Sequence, residues 1–162
     1  MIDLLLWFMR DYPVDVAANV RRRPDTGADE TSAIQVRFAN GVPAQCLVTQ
    51  AGPSFLYELQ ILGNAGTIAL RGRNFLQFEL EVASNSVAAY REPTVIRPAI
   101  RRDNVTMMLV PELEEFARSI REQRPPSITA ADGRRVLRVL DAVVESGRTG
   151  LPVSLKSPVF VG

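Results

Sequence analysis

The stretch from Ala33 to Gln50, AIQVRFANGVPAQCLVTQ, limits the possible folds more than any other part of the chain. Ile34, Val36 and Phe38 alternate with Gln35 and Arg37, so an extended segment here has one apolar and one polar face. A helix would scatter those residues around its axis, whereas a strand gathers them on one side. Asn40-Gly41 interrupts the alternation and a second run continues through Cys46, which predicts a hairpin closed by a type I′ turn. The same period of two runs through Val14, Val16, Ala18 and Val20, followed by the turn-rich loop RPDTGADETS. Further strands are expected around 56–62, 67–70 and 75–82, separated by Gly63-Asn64-Ala65-Gly66 and by Gly72. In the last of them Leu76, Phe78, Leu80 and Val82 oppose Gln77, Glu79 and Glu81, so one sheet face must be wet or polar. Pro93 and Pro98 make 83–102 an edge strand or an extended excursion.

Helical periodicity marks both ends of the chain. From Pro111, Glu112, Glu114 and Glu115 suit the positive end of a helix dipole, and Leu113, Phe116, Ala117 and Ile120 form an apolar stripe. Arg121 and Arg124 suit the other end, and Pro125-Pro126 stops it. A further helix is predicted to begin at Thr129 and Asp132, which have capping-box spacing with Asp in place of Glu, and to run through Val136, Leu137, Leu140, Val143 and Val144 before a short strand. The opening MIDLLLWFMRDYP is interrupted by Asp3 and closed by Arg10-Asp11, which is not a signal-peptide pattern, and its six apolar residues from Leu4 to Met9 fall far short of the roughly 18 that a bilayer requires. It is expected to be a helix with no membrane role, and Trp7 is expected in its core contact. Helix, strands, then two helices imply an α+β domain with helices packed on one face of a largely antiparallel sheet.

Composition removes several kinds of chemistry. There is no His, so the commonest general base and metal ligand are missing, and Lys156 is the only lysine among 19 basic residues. A net charge of +1 gives no reason to expect a nucleic-acid partner. A lone Cys46 cannot form an internal disulfide and suits the cytoplasm; its strand-like neighbours make it a structural thiol. Arg21-Arg22-Arg23 reads as a solvated edge or an anion contact. Gly63-Asn64-Ala65-Gly66 lies between strands, unlike the strand-to-helix glycine loop of a dinucleotide site. Asp29-Glu30 and Glu114-Glu115 point in different directions as adjacent residues, and no metal-binding loop is present. No catalytic, cofactor or metal constellation emerges. What does stand out is Asp3, an acid in an apolar helix, which either caps a neighbouring element or faces a ligand.

Four segments, IDLLLWFMRDYPVDVAANV, DETSAIQVRFANGVPAQC, LQILGNAGTIAL and the stretch from Glu112 to Leu155, resemble in order and spacing the C-terminal domain of the Gfo/Idh/MocA family of NAD(P)-dependent oxidoreductases, the group of glucose-fructose oxidoreductase and inositol dehydrogenase. The resemblance implies one domain over 1–155 with a tail at 156–162, and a large open sheet that shapes a substrate site and assembles homo-oligomers through its exposed face. In the family a Rossmann domain binds the cofactor, and catalysis uses a Lys of an EKP segment with an Asp and a His of a D-x-G-x-H-x-x-D stretch. The last Asp of that stretch matches Asp3, and the His would lie one residue before Met1. The resemblance therefore implies the interior of a longer enzyme: Asp3 as a substrate contact, a small polyhydroxylated substrate, NAD or NADP held outside this chain, and no activity of the chain alone. The competing expectation is a stand-alone, non-catalytic module that dimerises through its sheet or binds a ligand.

Overall fold

A computed structural model describes residues 1–74, 77–98 and 109–155. In chain order they form α1 (Ile2–Met9), β1 (Pro13–Arg22), β2 (Asp29–Phe38), β3 (Pro43–Thr49), β4 (Tyr57–Gly63), β5 (Gly66–Asn74), β6 (Gln77–Ser84), a short 3-10 turn (Ala88–Tyr90), β7 (Thr94–Ile96), α2 (Leu109–Arg121), α3 (Ala130–Thr149) and β8 (Val153–Ser154). The class is α+β, and its strands form two antiparallel four-stranded sheets. Each sheet belongs to its own compact unit: Met1–Ala51 with the described residues from Pro125 onward, and Gly52–Arg124.

In the first unit the sheet order is β3-β2-β1-β8. Val16 pairs with Val36 and Val36 with Ala44, while Ala18 pairs with Ile34 and Ile34 with Cys46, so the alternating apolar residues of three strands share one face. α1 and α3 supply the opposite wall: Ile2, Val139, Ala142 and Val143 join Val16, Ile34, Val36 and Phe38 in one buried cluster. α3 lies so close to β1 that a Cβ at position 147 would stand 2.4 Å from Val20 Cγ2, which explains Gly147 inside a helix. β8 is only two residues long, and beyond it the Ala18 N–H donates to Ser146 Oγ at 2.8 Å. That bond accounts for the buried hydroxyl of Ser146 and for an otherwise unmatched strand donor. Thr129 caps α3: its Oγ1 accepts from the Asp132 N–H, and the Asp132 carboxylate accepts from the Thr129 N–H, completing the expected box.

Two expectations need correction here, the type of the β2–β3 turn and the burial of Trp7, and α3 adds a choice of face that periodicity left open. The β2–β3 turn is not type I′, because Asn40 does not have positive φ; Gly41 alone does, at 84°, and its N–H donates to Phe38 O. This is a three-residue loop with a type I turn followed by a left-handed glycine, a shape that the same Asn-Gly pair supports. α3 buries Val139, Ala142, Val143 and Ser146, whereas Leu137, Leu140 and Val144 are exposed. The helix is apolar on more than one side, and the close approach at Ser146-Gly147 selects the side with the small residues. Trp7, finally, is 63% exposed.

In the second unit the order is β4-β5-β6-β7. Leu59, Leu70, Leu80 and Ile96 are cross-strand neighbours on one face, with Ile61, Ile68, Val82, Tyr57 and Phe78 beside them. The other face carries a charge ladder in which Arg71 bridges Glu58 and Glu81, while Arg97 pairs with Glu79. The expected split between Phe78, Leu80, Val82 and the acidic residues is thus present; Leu76 lies outside the described residues, as do 99–102 of the excursion between β6 and α2. β7 is an edge strand between the two prolines, where a missing N–H costs least. α2 begins at Leu109, before the expected Pro111, and its stripe of Leu113, Phe116 and Ile120 is exposed. Arg124 closes its C-terminal end with a bidentate pair to Glu115, at 2.7 and 2.9 Å.

Gly66 has φ +153°, and a Cβ there would meet Ala83 O at 2.1 Å. Gly66→Ala is therefore expected to destabilise the protein by about 2 kcal/mol in chemical denaturation. Ser146→Ala leaves the Ala18 N–H without its acceptor and is expected to cost about 1–3 kcal/mol. For Asp132, the bonds from the Thr129 side chain and backbone hold the carboxyl below the ordinary aspartate value. A folded-state pKa below the unfolded one gives stability that is complete above the unfolded value, about 3.9, and is lost as pH falls through the folded one. Thr129→Ala should raise the Asp132 pKa in NMR titration and flatten the acid limb of the stability curve.

Candidate functional site

The two sides of α1 differ in kind. Ile2, Leu5, Leu6 and Met9, at spacings of three and four, pack against the core of the first unit. Asp3 and Trp7, also four apart, lie on another side and are exposed. The Asp3 carboxylate makes no hydrogen bond or ion pair among the described residues, so it is neither a buried acid nor the cap of a neighbouring element. The apolar surroundings that suggested burial belong to the inward stripe, one helical face away. Phe8 meets the Trp7 ring edge-on, with centroids 4.8 Å apart and planes at 72°.

The end of α1 is held as firmly as its inward side. Arg10 adopts a left-handed conformation, φ 48°, and its N–H donates to Leu6 O. Asp11 then accepts from the Asn40 N–H at 2.8 Å, and the Ala39 N–H donates to Tyr12 O, tying the helix exit to the β2–β3 turn. Asp3 and Trp7 are thus presented from a helix anchored along its inward stripe and at its C-terminus. A carboxylate can accept hydroxyl hydrogens and an exposed indole can cover an apolar ring face, so this side of α1 carries groups able to bind a ligand.

On the sheet face of the first unit away from the helices, Asp15 accepts from Ser154 Oγ at 2.8 Å and pairs with Arg37, which stitches β8 and β2 to β1. A shallow concavity of about 800 Å3 reaches Ala17, Asn19, Gln35 and Gln45 in the same unit. Leu47 stands out of this face at 70% exposure. Arg21, Arg22 and Arg23 pair with Glu30, Asp29 and Asp25, so the basic run is a neutralised edge. Cys46 is half-buried against the core, and desolvation pushes its thiol pKa up, which favours the unreactive thiol. Among the described residues no group of three His, Cys, Asp or Glu side chains could hold a metal, and no helix is long and apolar enough to cross a membrane.

Against known proteins, residues 1–69 match the family model described as the GFO/IDH/MocA C-terminal domain. No curated protein matches the chain by sequence. Among solved structures, the aldose-aldose oxidoreductase from Caulobacter crescentus complexed with glycerol is similar with a TM-score of 0.78 at 19% identity, over 95% of this chain and 44% of that one. An oxidoreductase from Agrobacterium radiobacter in complex with NAD+, L-tartaric acid and magnesium gives 0.73 at 20% identity, over 94% and 46%. The myo-inositol 2-dehydrogenase from Lactobacillus plantarum gives 0.71 at 22% identity, over 96% and 46%. The chain spans less than half the length of each.

The glycine turn of the second unit is not a dinucleotide loop. This turn, Gly63 to Gly66, joins two antiparallel strands and leads into no helix whose N–H groups could receive a pyrophosphate. As the single tryptophan, Trp7 should report its own exposure: its emission is expected at the long-wavelength end and strongly quenched by acrylamide, and a blue, protected emission would contradict the outward placement. Residues 1–69 are thus similar in sequence to the C-terminal domain of the Gfo/Idh/MocA oxidoreductases, and the described residues share the fold of the oxidoreductase structures named above.

Proposed function

We propose that the chain is the substrate-binding and assembly domain, over 1–155, of an NAD(P)-dependent oxidoreductase acting on a small sugar or polyol, and that it is inactive alone because the cofactor and the proton-transferring groups belong to another part of such an enzyme. The observation that carries this reading is the outward, unengaged Asp3 on a helix anchored to the core, within the residues that match the family model. A carboxylate there accepts hydrogen bonds from substrate hydroxyls and fixes which carbon faces the hydride acceptor. The polyol and aldose names of the structural neighbours support the substrate class, and the neighbour bound to NAD+ supports the cofactor.

For assembly, the uncovered polar sheet face of the first unit offers Asn19, Gln35 and Gln45 around exposed Leu47. This mixed polar face suits a pairing between copies of the chain. The same face favours the second reading, a free-standing module that dimerises through its sheet and binds no polyol.

Titration with myo-inositol followed by Trp7 fluorescence tests the substrate role. A saturable change is expected, and at least fivefold weaker binding in Asp3→Asn; equal binding in the variant would remove Asp3 from the site. In sedimentation at micromolar concentration the chain is expected to run as a dimer or larger. The mass of one chain would count against the assembly role. NAD(H) titrated in calorimetry is expected to give no binding, and micromolar affinity would overturn the division of labour.

A further inference from the structure

A cleft of about 520 Å3 opens beside the β4–β5 turn, entirely within Gly52–Arg124. Its frame is held by hydrogen bonds between the turn and the segment after β6. Ser84 Oγ donates to Ala65 O at 3.1 Å and accepts from the Ser86 and Val87 N–H groups at 3.2 Å each. The Asn85 N–H and side-chain amide donate to Ala65 O and Asn64 O, both at 3.0 Å. Gly66 adds a contact with Ala83 that excludes any side chain. A cleft so framed needs little ordering when a ligand arrives.

The walls are chemically one-sided. Arg91, Asn64 and Thr67 line the cleft, and their side chains have no hydrogen-bond or ion-pair partner among the described residues. No carboxylate lines it. Arg71, paired with Glu58 and Glu81, and Arg97, paired with Glu79, are neutralised on the charged face of the same sheet, whereas no such pair involves Arg91. A guanidinium left without a counter-charge among neutral donors matches an oxyanion, which it can bind through two parallel N–H groups. The volume lies in the range of small-molecule sites, roughly 300–1,000 Å3, and leaves room for more than the anionic group.

We propose that this cleft binds a compact oxyanion, the phosphate or carboxylate group of a small metabolite, with Arg91 supplying the charge and Asn64 and Thr67 the neutral donors. The site is independent of Asp3 and of the substrate reading above.

The test is calorimetric titration of the whole chain with inorganic phosphate and, separately, with acetate. Saturable binding is expected for at least one of them, and which one binds identifies the anion class. Arg91→Gln should weaken it at least tenfold and Asn64→Ala several-fold, with circular dichroism showing that both variants fold. Arg148→Gln, which removes the same charge from α3, should bind as the unchanged protein does. If neither anion binds saturably, or if Arg91→Gln binds like the parent, or if Arg148→Gln weakens binding equally, the site does not exist.

Discussion

Val16, Val36 and Phe38 meet Val139, Ala142 and Val143 across a contact between sheet and helix so close that position 147 must be glycine and position 146 must supply a hydroxyl to the Ala18 N–H. Fully burying side chains of this size contributes about 1.5–3 kcal/mol each, which makes this layer the main source of order in the first unit. The contact also fixes the side on which everything else is displayed. With α3 and α1 on one face of β1 and β2, the polar residues of those strands are left on the other, and the residues of α1 that miss the core are left outward.

That division explains how one short helix can both pack on the core and present side chains outward. Its eight residues are apolar except for Asp3, yet only the stripe of Ile2, Leu5, Leu6 and Met9 is used for packing. Asp3 and Trp7 are left outward because a helix of this length buries one side only. Its exit is pinned through Asp11, Asn40 and Tyr12, and the proposed substrate role would require such anchoring, since a carboxylate that orients a ligand has to be held within about 0.5 Å of its place.

Much of this was legible in the sequence. The period-two runs located β1, β2, β4 and β6, the capping-box spacing located the start of α3, and the two prolines bracketed the edge strand β7. What stayed open were choices between faces. Periodicity shows that Leu137, Leu140 and Val144 are apolar, but it does not show that Ser146 and Gly147 let the opposite side approach closer. Nor does it show that Trp7 belongs to the side of α1 the core leaves free. The Asn-Gly pair announced a tight turn, while its type depended on a loop one residue longer than a type I′ hairpin uses. The cleft beside Arg91 was not anticipated, because its residues come from a turn and from a segment some twenty positions away that are joined only by backbone and side-chain hydrogen bonds.

Under the proposed function the polyol meets the outward side of α1. Amide chemical-shift mapping of the whole labelled chain during titration with myo-inositol tests it most directly. The account predicts that shifts concentrate around Asp3, Leu4, Trp7 and Phe8; shifts concentrated around Asn19, Gln35 and Gln45, or none at saturating polyol, would contradict it.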